Sequence, residues 1–389
     1  MAVPSAHAAT GMEVALQDDG VFSSQAYYSR ERAFKQAQQL GVTRLRVNVA
    51  WTSVASSVKS RRKPRHVFYA FNQYDSLFVA AKAHNIKLQL TLTGPAPAWA
   101  TGNHRIGPYK PNAKYYAEFV RATVAHFRGL VDRYSIWNEP NYVGWLAPLS
   151  QGPSLYRKLY VAGYAAAKKA DPSAQVLIAE TSPYALTRRA TAPLDFLRGV
   201  TCTNRSFSHP SCGALKADGY AHHPYDFDHP PSYRYPGSAN ATLSTLSRLT
   251  TALDRLAQAH ALSTPTGAPL DLYLTEYGFM EHGKHHISAS RHASWLRQGF
   301  QMALRNSRVK EMLQYLLVAP TSRYAFFDTS IASRRGKATS AFKTLAAWTK
   351  AAAKAGRIAI ANQQQAAAPA PGATAPSAGG SAGGTAPPA

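Results

Sequence analysis

The sequence predicts an α/β fold with a closed parallel sheet, a (β/α)8 barrel. Short runs rich in β-branched and apolar residues alternate with longer amphipathic segments from about residue 11 to residue 360. This alternation is typical of a parallel sheet covered by helices. Eight strand-and-helix units can be counted in the sequence. They fit the size of such barrels, which runs from about 200 to more than 400 residues.

Each predicted strand is a run of six to nine residues in which Val, Ile, Leu, Tyr and Thr are frequent. Runs of this length and composition, bounded by turn residues, are typical of strands. The predicted strands cover residues 12–17, 44–51, 86–94, 131–138, 175–180, 218–223, 270–277 and 312–319.

The predicted helices lie between these strands, and several end in Gly, Asn or Asp, as helix C-termini often do. A doubly wound open sheet is the alternative architecture. No glycine-rich phosphate-binding motif follows the first strand, which favours the barrel. The predicted helices cover residues 30–41, 74–85, 113–129, 154–171, 242–260, 289–306 and 340–355.

The two ends of the chain differ in composition from the barrel domain expected at residues 11–360. Residues 1–10 include Ala6-His7-Ala8, which looks like the small-residue cleavage site of a secretion signal, so this segment is either a signal-peptide remnant or an ordinary disordered terminus. Residues 361–389 consist almost entirely of Ala, Pro, Gly, Gln, Ser and Thr. Such a segment buries too little apolar surface to fold, and we expect a disordered tail.

Cys202 and Cys212 are the only cysteines, and both lie in a stretch rich in Asn, Ser, His, Pro and Gly. Because a surface loop would expose two thiols, we expect them to form a disulfide, although two buried free thiols are the alternative. A disulfide favours an oxidising compartment, so we expect a secreted, extracellular protein.

The chain is strongly basic: 44 Lys and Arg against 20 Asp and Glu give a formal net charge of +24. Such a charge attracts anionic polymers loosely. The basic residues are spread along the chain, and only residues 59–66 (KSRRKPRH) form a dense cluster. No zinc-finger spacing or aromatic RNA-binding motif is present, which argues against specific nucleic-acid binding.

No stretch reaches the roughly 18 apolar residues of a membrane span. We expect a monomer.

Two candidate catalytic acids lie at the ends of predicted strands. The fourth runs into YSIWNEPN (134–141) and Glu139, and the seventh runs into LYLTEYGF (272–279) and Glu276. Barrel enzymes carry their chemistry at the C-terminal ends of strands, and strands four and seven lie on opposite sides of the ring. Two carboxyl groups that face each other can cleave a glycosidic bond. The alternative is that each acid belongs to a structural ion pair.

The Trp137-Asn138-Glu139-Pro140 and Thr275-Glu276-Tyr277-Gly278 motifs resemble those of the retaining glycoside hydrolases of the (β/α)8 clan that includes family 5 cellulases and family 39 xylosidases. The resemblance covers residues 11–355 and implies that Glu139 is the acid/base and Glu276 the nucleophile. It also implies that Asn138 holds the 2-hydroxyl of the sugar; satisfying a strand end is the alternative role. No cofactor is expected.

Three further residues are candidates around these acids. Arg46 lies within the second strand, where a buried cation needs an anion, and we expect that anion to be Glu276. The resemblance supports this, because family members carry an Arg on this strand. A structural salt bridge elsewhere is the alternative. AHHPY (221–225) resembles the His-x-Tyr motif of family 5. The resemblance implies that His223 contacts the substrate or the acid/base and that Tyr225 hydrogen-bonds to Glu276. His222 is the alternative to His223.

Tight metal-ligand spacing is absent, so no metal site is expected.

Trp51, Trp99 and Trp145 each follow a predicted strand end and are candidates for stacking on sugar rings, although a tryptophan can equally fill a core. The eighth strand differs from many family 5 enzymes because MLQYLLVAP contains no Trp to serve as a sugar platform. Tyr315 or Tyr324 could replace it.

Three functions remain open on the sequence. The first is a secreted retaining O-glycoside hydrolase acting on a poly- or oligosaccharide. The second is a non-catalytic carbohydrate-binding or cell-wall-associated barrel; the joint presence of Glu139, Glu276, Asn138 and Arg46 argues against it. The third is a basic adhesion or nucleic-acid-binding protein, whose affinity would fall steeply with salt and survive loss of both acids.

Overall fold

The structure is a computed structural model that describes residues 11–321 and 327–361. Within these residues, eight parallel strands form a closed barrel, which confirms the predicted fold. Each of the eight predicted strands is present. In order around the ring they are β1 (Glu13–Gln17), β2 (Arg44–Ala50), β3 (Lys87–Thr93), β4 (Arg133–Ile136), β5 (Gln175–Thr181), β7 (Gly219–His222), β9 (Leu272–Leu274) and β10 (Val309–Tyr315). A separate two-stranded sheet pairs β6 (Leu215–Lys216) with β8 (Leu262–Ser263).

The helices pack around the barrel and include all seven that the sequence predicts. The α-helices are α1 (Asp19–Phe22), α2 (Arg30–Gln39), α3 (Trp51–Val54), α4 (Asn72–Ala83), α5 (Ala113–His126), α6 (Gly152–Ala170), α7 (Pro193–Thr201), α8 (Ser247–Gln258), α9 (Ala289–Arg305) and α10 (Ser340–Lys354).

Two of the differences from the predicted helices have identifiable physical causes. Helix α7 was not predicted; it has nine residues, and its stability comes from packing an apolar face that includes Leu194, Leu197 and Val200. Helix α8 starts five residues later than predicted, because Thr242 and Thr245 form a capping box around a 3₁₀ turn that precedes it.

Side-chain caps fix several helix starts. Ser29, Asn112, Ser288 and Thr339 each accept a hydrogen bond from a backbone N–H of the following turn. Such a cap satisfies one of the N–H groups that have no partner inside the helix. These four positions set where α2, α5, α9 and α10 begin, and hence the length of the loops above the barrel.

The barrel interior contains charged side chains in two layers. Arg44 and Arg46 are two residues apart on β2 and therefore point to the same side, into the barrel. In the lower layer Arg44 Nη2 donates to Glu13 Oε1 over 2.9 Å, and Arg133 Nη1 donates to Glu311 Oε2 over 2.6 Å. Buried charges are tolerated when they are paired in this way. Arg46 belongs to the upper layer, next to the candidate site.

The predicted disulfide between Cys202 and Cys212 is present. Among the described residues, no helix is both long enough and apolar enough to cross a membrane. Three predictions concern residues outside the described part of the chain: the N-terminal segment 1–10, Tyr324, and the tail beyond residue 361.

Candidate active site

The two candidate acids meet at one end of the barrel. Glu139 follows β4 and Glu276 follows β9, and both line a cavity of about 630 Å³. One carboxylate oxygen of each acid and one ring nitrogen of His223 all lie within 4.8 Å of one another. Trp137 and Glu139 have positive φ values of 70° and 36°, so the chain turns sharply at the end of β4. Such strained residues are held by the surrounding structure and are frequent at functional sites.

Arg46 joins three groups of the site. Its Nη1 donates to Glu276 Oε1 over 2.8 Å, and its Nη2 donates to Asn138 Oδ1 over 2.6 Å. Nη2 also lies 3.2 Å from Glu180 Oε2. Burial lowers the pKa of Arg46, but the charges of Glu180 and Glu276 outweigh it and raise the pKa above its ordinary value. The guanidinium is therefore a fixed positive charge beside Glu276.

His223 lies between three carboxylates. Its Nδ1 is 3.0 Å from Glu139 Oε1 and 3.6 Å from Glu276 Oε2, and its Nε2 is 2.9 Å from Glu180 Oε2. Burial lowers the pKa of His223, but the charges of these carboxylates outweigh it and raise the pKa to about 9. His223 is therefore an imidazolium at neutral pH, with both ring nitrogens donating.

His222, the alternative to His223, lies in a different environment. It hydrogen-bonds to the Thr181 hydroxyl over 2.9 Å and to the Ala241 carbonyl over 2.8 Å. Burial lowers the pKa of His222 to about 3, so this ring is neutral. Between the two histidines, His223 is the one that contacts the candidate acids.

Glu180 is a site residue that the sequence reasoning missed. It is fully buried at the end of β5, where it accepts hydrogen bonds from His223, from Arg46 and, over 2.5 Å, from Thr275 Oγ1. Burial raises the pKa of Glu180, but Arg46 and His223 outweigh it and lower the pKa to about 2. The available signal was that the fifth predicted strand also ends on an acid. A register shift between β5 and β7 at Ala179 accompanies positive φ values at residues 179 and 180.

Glu276 has a further partner in Tyr225, whose hydroxyl donates to Glu276 Oε2 over 3.3 Å. Burial raises the pKa of Glu276 above its ordinary value, while His223 and Arg46 oppose that shift. The structure thus brings together six of the residues named from the sequence: Glu139, Glu276, Asn138, Arg46, His223 and Tyr225.

Three solved structures with a similar architecture are glycoside hydrolases. A GH39 enzyme from Xanthomonas axonopodis pv. citri has a TM-score of 0.61 at 16% identity, covering 90% of this chain and 67% of that chain. A family 39 glycoside hydrolase from Bacteroides cellulosilyticus has a TM-score of 0.59 at 15% identity, covering 87% and 63%. GH5_18 from Streptomyces cattleya, in complex with GlcNAc, has a TM-score of 0.56 at 16% identity, covering 88% and 80%.

The chain has the fold of these enzymes. It spans somewhat less than two thirds of the length of the Bacteroides enzyme, 63%. No family model and no curated protein sequence matches it. At these identities the similarity shows the (β/α)8 fold, and what the site does follows from its own residues.

The cavity wall is largely aromatic, which suits the apolar faces of sugar rings. Trp145 and Tyr315, both named from the sequence, line it and are partly exposed. The other aromatic lining residues are Tyr27, Tyr142, Tyr184, Tyr225, Phe227 and Phe327.

Trp51 and Trp99 do not line the cavity, contrary to the sequence-based expectation. Trp51 is 0% exposed and Trp99 is 4% exposed, and their rings contact each other edge to face at a centroid distance of 5.5 Å. Trp51 also stacks on Phe119 of α5. Both rings therefore fill the layer between barrel and helices, because the chain turns outward into α3 directly after β2.

Glu139, His223 and Glu276 are, among the described residues, the one group of acids and histidines close enough to hold a metal ion. The imidazole ring of His223 keeps its second proton at neutral pH, because the surrounding carboxylates raise its pKa. A metal ion would have to displace this proton, so the residues fit a proton-handling site better than a metal centre.

Proposed function

We propose that the protein is a retaining O-glycoside hydrolase that acts on an oligo- or polysaccharide. The observation that supports this best is the pair Glu139 and Glu276 in one cavity, with one carboxylate oxygen of each within 4.8 Å of the other. Retaining enzymes hold their two carboxyl groups about 5–5.5 Å apart, whereas inverting enzymes leave about 6.5–9.5 Å for a water molecule. The short separation supports retention.

In this proposal the reaction has two steps. Glu276 attacks the anomeric carbon while Glu139 protonates the leaving oxygen, so the glycosidic bond breaks and a glycosyl ester forms on Glu276. Glu139, now a carboxylate, takes a proton from a water molecule that attacks the same carbon and releases Glu276. The sugar leaves with its original anomeric configuration, and Glu139 is protonated again.

The neighbours of Glu276 suit a nucleophile. Burial would otherwise favour its neutral form, and the positive charge of Arg46 at 2.8 Å opposes this. Tyr225 donates to the other carboxylate oxygen, Oε2, so both oxygens are held in place. A carboxyl group held by Arg46 and Tyr225 is already in position when the sugar binds.

Asn138 and His223 suit supporting roles. Arg46 donates to Asn138 Oδ1, which leaves the Nδ2 amide hydrogens of Asn138 to donate to a sugar hydroxyl. His223 Nδ1 donates to Oε1 of Glu139, which leaves Oε2 of Glu139 to carry the proton for the leaving oxygen. Each contact thus leaves one defined atom free for the substrate.

The test is a screen of aryl glycosides and labelled polysaccharides, followed by variants on the first substrate found. Glu276→Gln should lower kcat by about 10⁴-fold or more, because the amide cannot attack. Glu118→Gln, which changes an acid on the outer face of α5, is the matched control and should turn over normally. Normal turnover by Glu276→Gln would overturn the mechanism.

Stereochemistry gives an independent test. Proton NMR during hydrolysis should show the retained anomer first. Azide should rescue a Glu276→Gly variant and give a glycosyl azide of inverted configuration, because azide attacks directly where Glu276 stood. Binding of glycans without hydrolysis across the whole panel would instead favour a non-catalytic carbohydrate-binding barrel. The disulfide is compatible with secretion, and we place the activity outside the cell.

A further inference from the structure

Among the described residues, the side chains that line the active-site cavity include the carboxyl groups of Asp18, Asp19, Glu139 and Glu276 and no Lys or Arg. Arg46 and His223 pair with the carboxylates of the site without lining the cavity. The excess of Lys and Arg, 44 against 20 Asp and Glu, therefore lies mostly outside this cavity.

A groove of about 360 Å³ on the outer face of the barrel collects four arginines from α7, α8 and the disulfide loop. We name it the arginine groove. No Asp or Glu is among the side chains that line it. Its lining consists of Arg198, Arg205, Arg248 and Arg255 with Leu194, Phe207, Ser238, Ser247, Thr251 and Ala252.

Most of the positive charge in the arginine groove is unneutralised. Within residues 11–321 and 327–361, the exposed side chains of Arg205 and Arg255 form no hydrogen bond or ion pair. Arg198 pairs with Asp195 on the same helix. Burial lowers the pKa of Arg248, and the like charge of Arg234 lowers it further. Several guanidinium groups thus share this surface with one carboxylate.

One guanidinium group of the arginine groove is held in place by the backbone. Arg248 Nη1 donates to the carbonyls of Tyr235, Gly237 and Asn240 over 3.1, 2.8 and 2.9 Å, and in the described part of the chain its Nε and Nη2 have no partner. Arg205 lies in the loop that the Cys202–Cys212 disulfide closes. A cation that is fixed in advance, as Arg248 is, loses less side-chain entropy when it binds an anion.

A short structural connection joins the arginine groove to the cavity. Tyr184 lines the cavity and stacks on Tyr235, with ring centroids 4.8 Å apart and planes 9° from parallel. The carbonyl of Tyr235 accepts one of the hydrogen bonds from Arg248. One stacked pair of rings and one hydrogen bond thus link a cavity-lining side chain to a groove arginine.

We propose that the arginine groove is a second binding site that holds the acidic groups of an anionic polysaccharide. Guanidinium groups bind carboxylate, sulfate and phosphate oxygens in pairs, with charge-assisted hydrogen bonds. Nucleic acid fits less well, because Phe207 is the only aromatic side chain in the lining, it is 4% exposed, and the Arg198 guanidinium lies over its ring. No ring is left in the groove for base stacking.

The test compares two double variants of the full chain. Arg205→Gln/Arg255→Gln removes two groove charges, and Arg61→Gln/Arg62→Gln removes two exposed charges from the basic cluster at residues 59–66. Each lowers the formal net charge from +24 to +22. Kd is measured for immobilised polygalacturonate and dextran sulfate, with unmodified dextran and single-stranded DNA as comparison ligands, at low and at physiological salt.

The groove variant should bind at least one anionic polysaccharide about tenfold more weakly, and the control within about twofold of the wild type. The polymer with the larger loss shows whether carboxylate or sulfate oxygens are preferred. Equal losses in both variants would mean attraction by net charge alone and would overturn the proposal. If single-stranded DNA bound more tightly than the anionic polysaccharides, and this binding were lost in the groove variant, the ligand of the groove would be nucleic acid and the proposal would be overturned. Glu276→Gln should bind as the wild type does, so a failure of the catalytic proposal would leave this result unchanged.

Discussion

His223 and Glu180 form a fully buried ion pair inside the barrel, with 2.9 Å between Nε2 and Oε2. The other ring nitrogen of His223 faces Glu139 and Glu276. Glu180 thus lies behind the cavity and acts on both acids through one imidazole ring. In the proposed mechanism it is a positioning residue, because it does not line the cavity.

Replacing Glu180 by Gln should lower the pKa of His223 from about 9, because one of the anions that retain its proton is removed. NMR titration of the His223 imidazole measures this directly. If the proposed mechanism uses the imidazolium, the basic limb of kcat/KM moves to lower pH in Glu180→Gln. An unchanged titration curve would contradict this assignment, and Glu118→Gln serves as the surface control.

The same pair predicts a pH dependence of stability. The pKa of His223 in the folded protein, about 9, lies above the ordinary histidine value of about 6.5. Its contribution to stability is therefore fully present below pH 6.5 and is lost as the pH rises through about 9. Urea unfolding across this window should show a falling free energy of unfolding for the wild type. In Glu180→Gln the decline should begin at the same pH, which the unfolded state sets, but it should be smaller and should end at lower pH.

Arg46→Met should affect both stability and the acidic limb of activity. Removing the cation leaves Glu180 and Glu276 buried without it, and loss of one partner of a buried pair costs about 3–5 kcal/mol. The pKa of Glu276, already raised by burial, should rise further, so ionisation of the proposed nucleophile requires a higher pH. The acidic limb of kcat/KM should move to higher pH.

Arg46→Lys keeps one positive charge and should show a smaller loss of stability and a smaller shift of the acidic limb. It can be measured even if Arg46→Met fails to fold. Exposed Arg61→Met is the matched control for loss of an arginine. An acidic limb at the wild-type position in a folded Arg46 variant would show that Arg46 does not hold the charge of Glu276.

The tryptophans named from the sequence should separate into two classes. Trp145→Ala removes a partly exposed ring from the cavity wall and should raise KM about tenfold with little change in Tm, if sugars stack there. Trp51→Ala empties a fully buried position and should cost about 3–5 kcal/mol of stability. Measuring KM and the free energy of unfolding for both variants distinguishes a sugar-stacking ring from a core ring. If the two variants had the same KM and the same free energy of unfolding, these assignments would be wrong.

The eight strands could be predicted because their composition and spacing are local properties of the chain. The same holds for Glu139 and Glu276, since strand ends in a parallel barrel gather at one face wherever they lie in the sequence. Helix α7 could not be predicted: it is short, and its stability comes from contacts with α6 and α8 that no local pattern contains.

Side-chain direction was the harder problem. Trp51, Trp99 and Trp145 all follow strand ends, yet only Trp145 faces the cavity, because each loop leaves the barrel in its own direction. Glu180 was overlooked although it too ends a predicted strand. The register shift at Ala179 that accompanies its inward position depends on pairing with β7, which is remote in sequence.

The sequence by itself determined the barrel, the disulfide pair and the two acids that a closed ring must bring to one end, because strand order and strand length follow from local pattern. The tertiary structure alone decided which aromatic rings face the cavity, that Arg46 and His223 share the buried charge of Glu180, and that four separated arginines line one groove. Those facts depend on loop paths and on charges that meet only when the ring closes, and no local property of the chain encodes them.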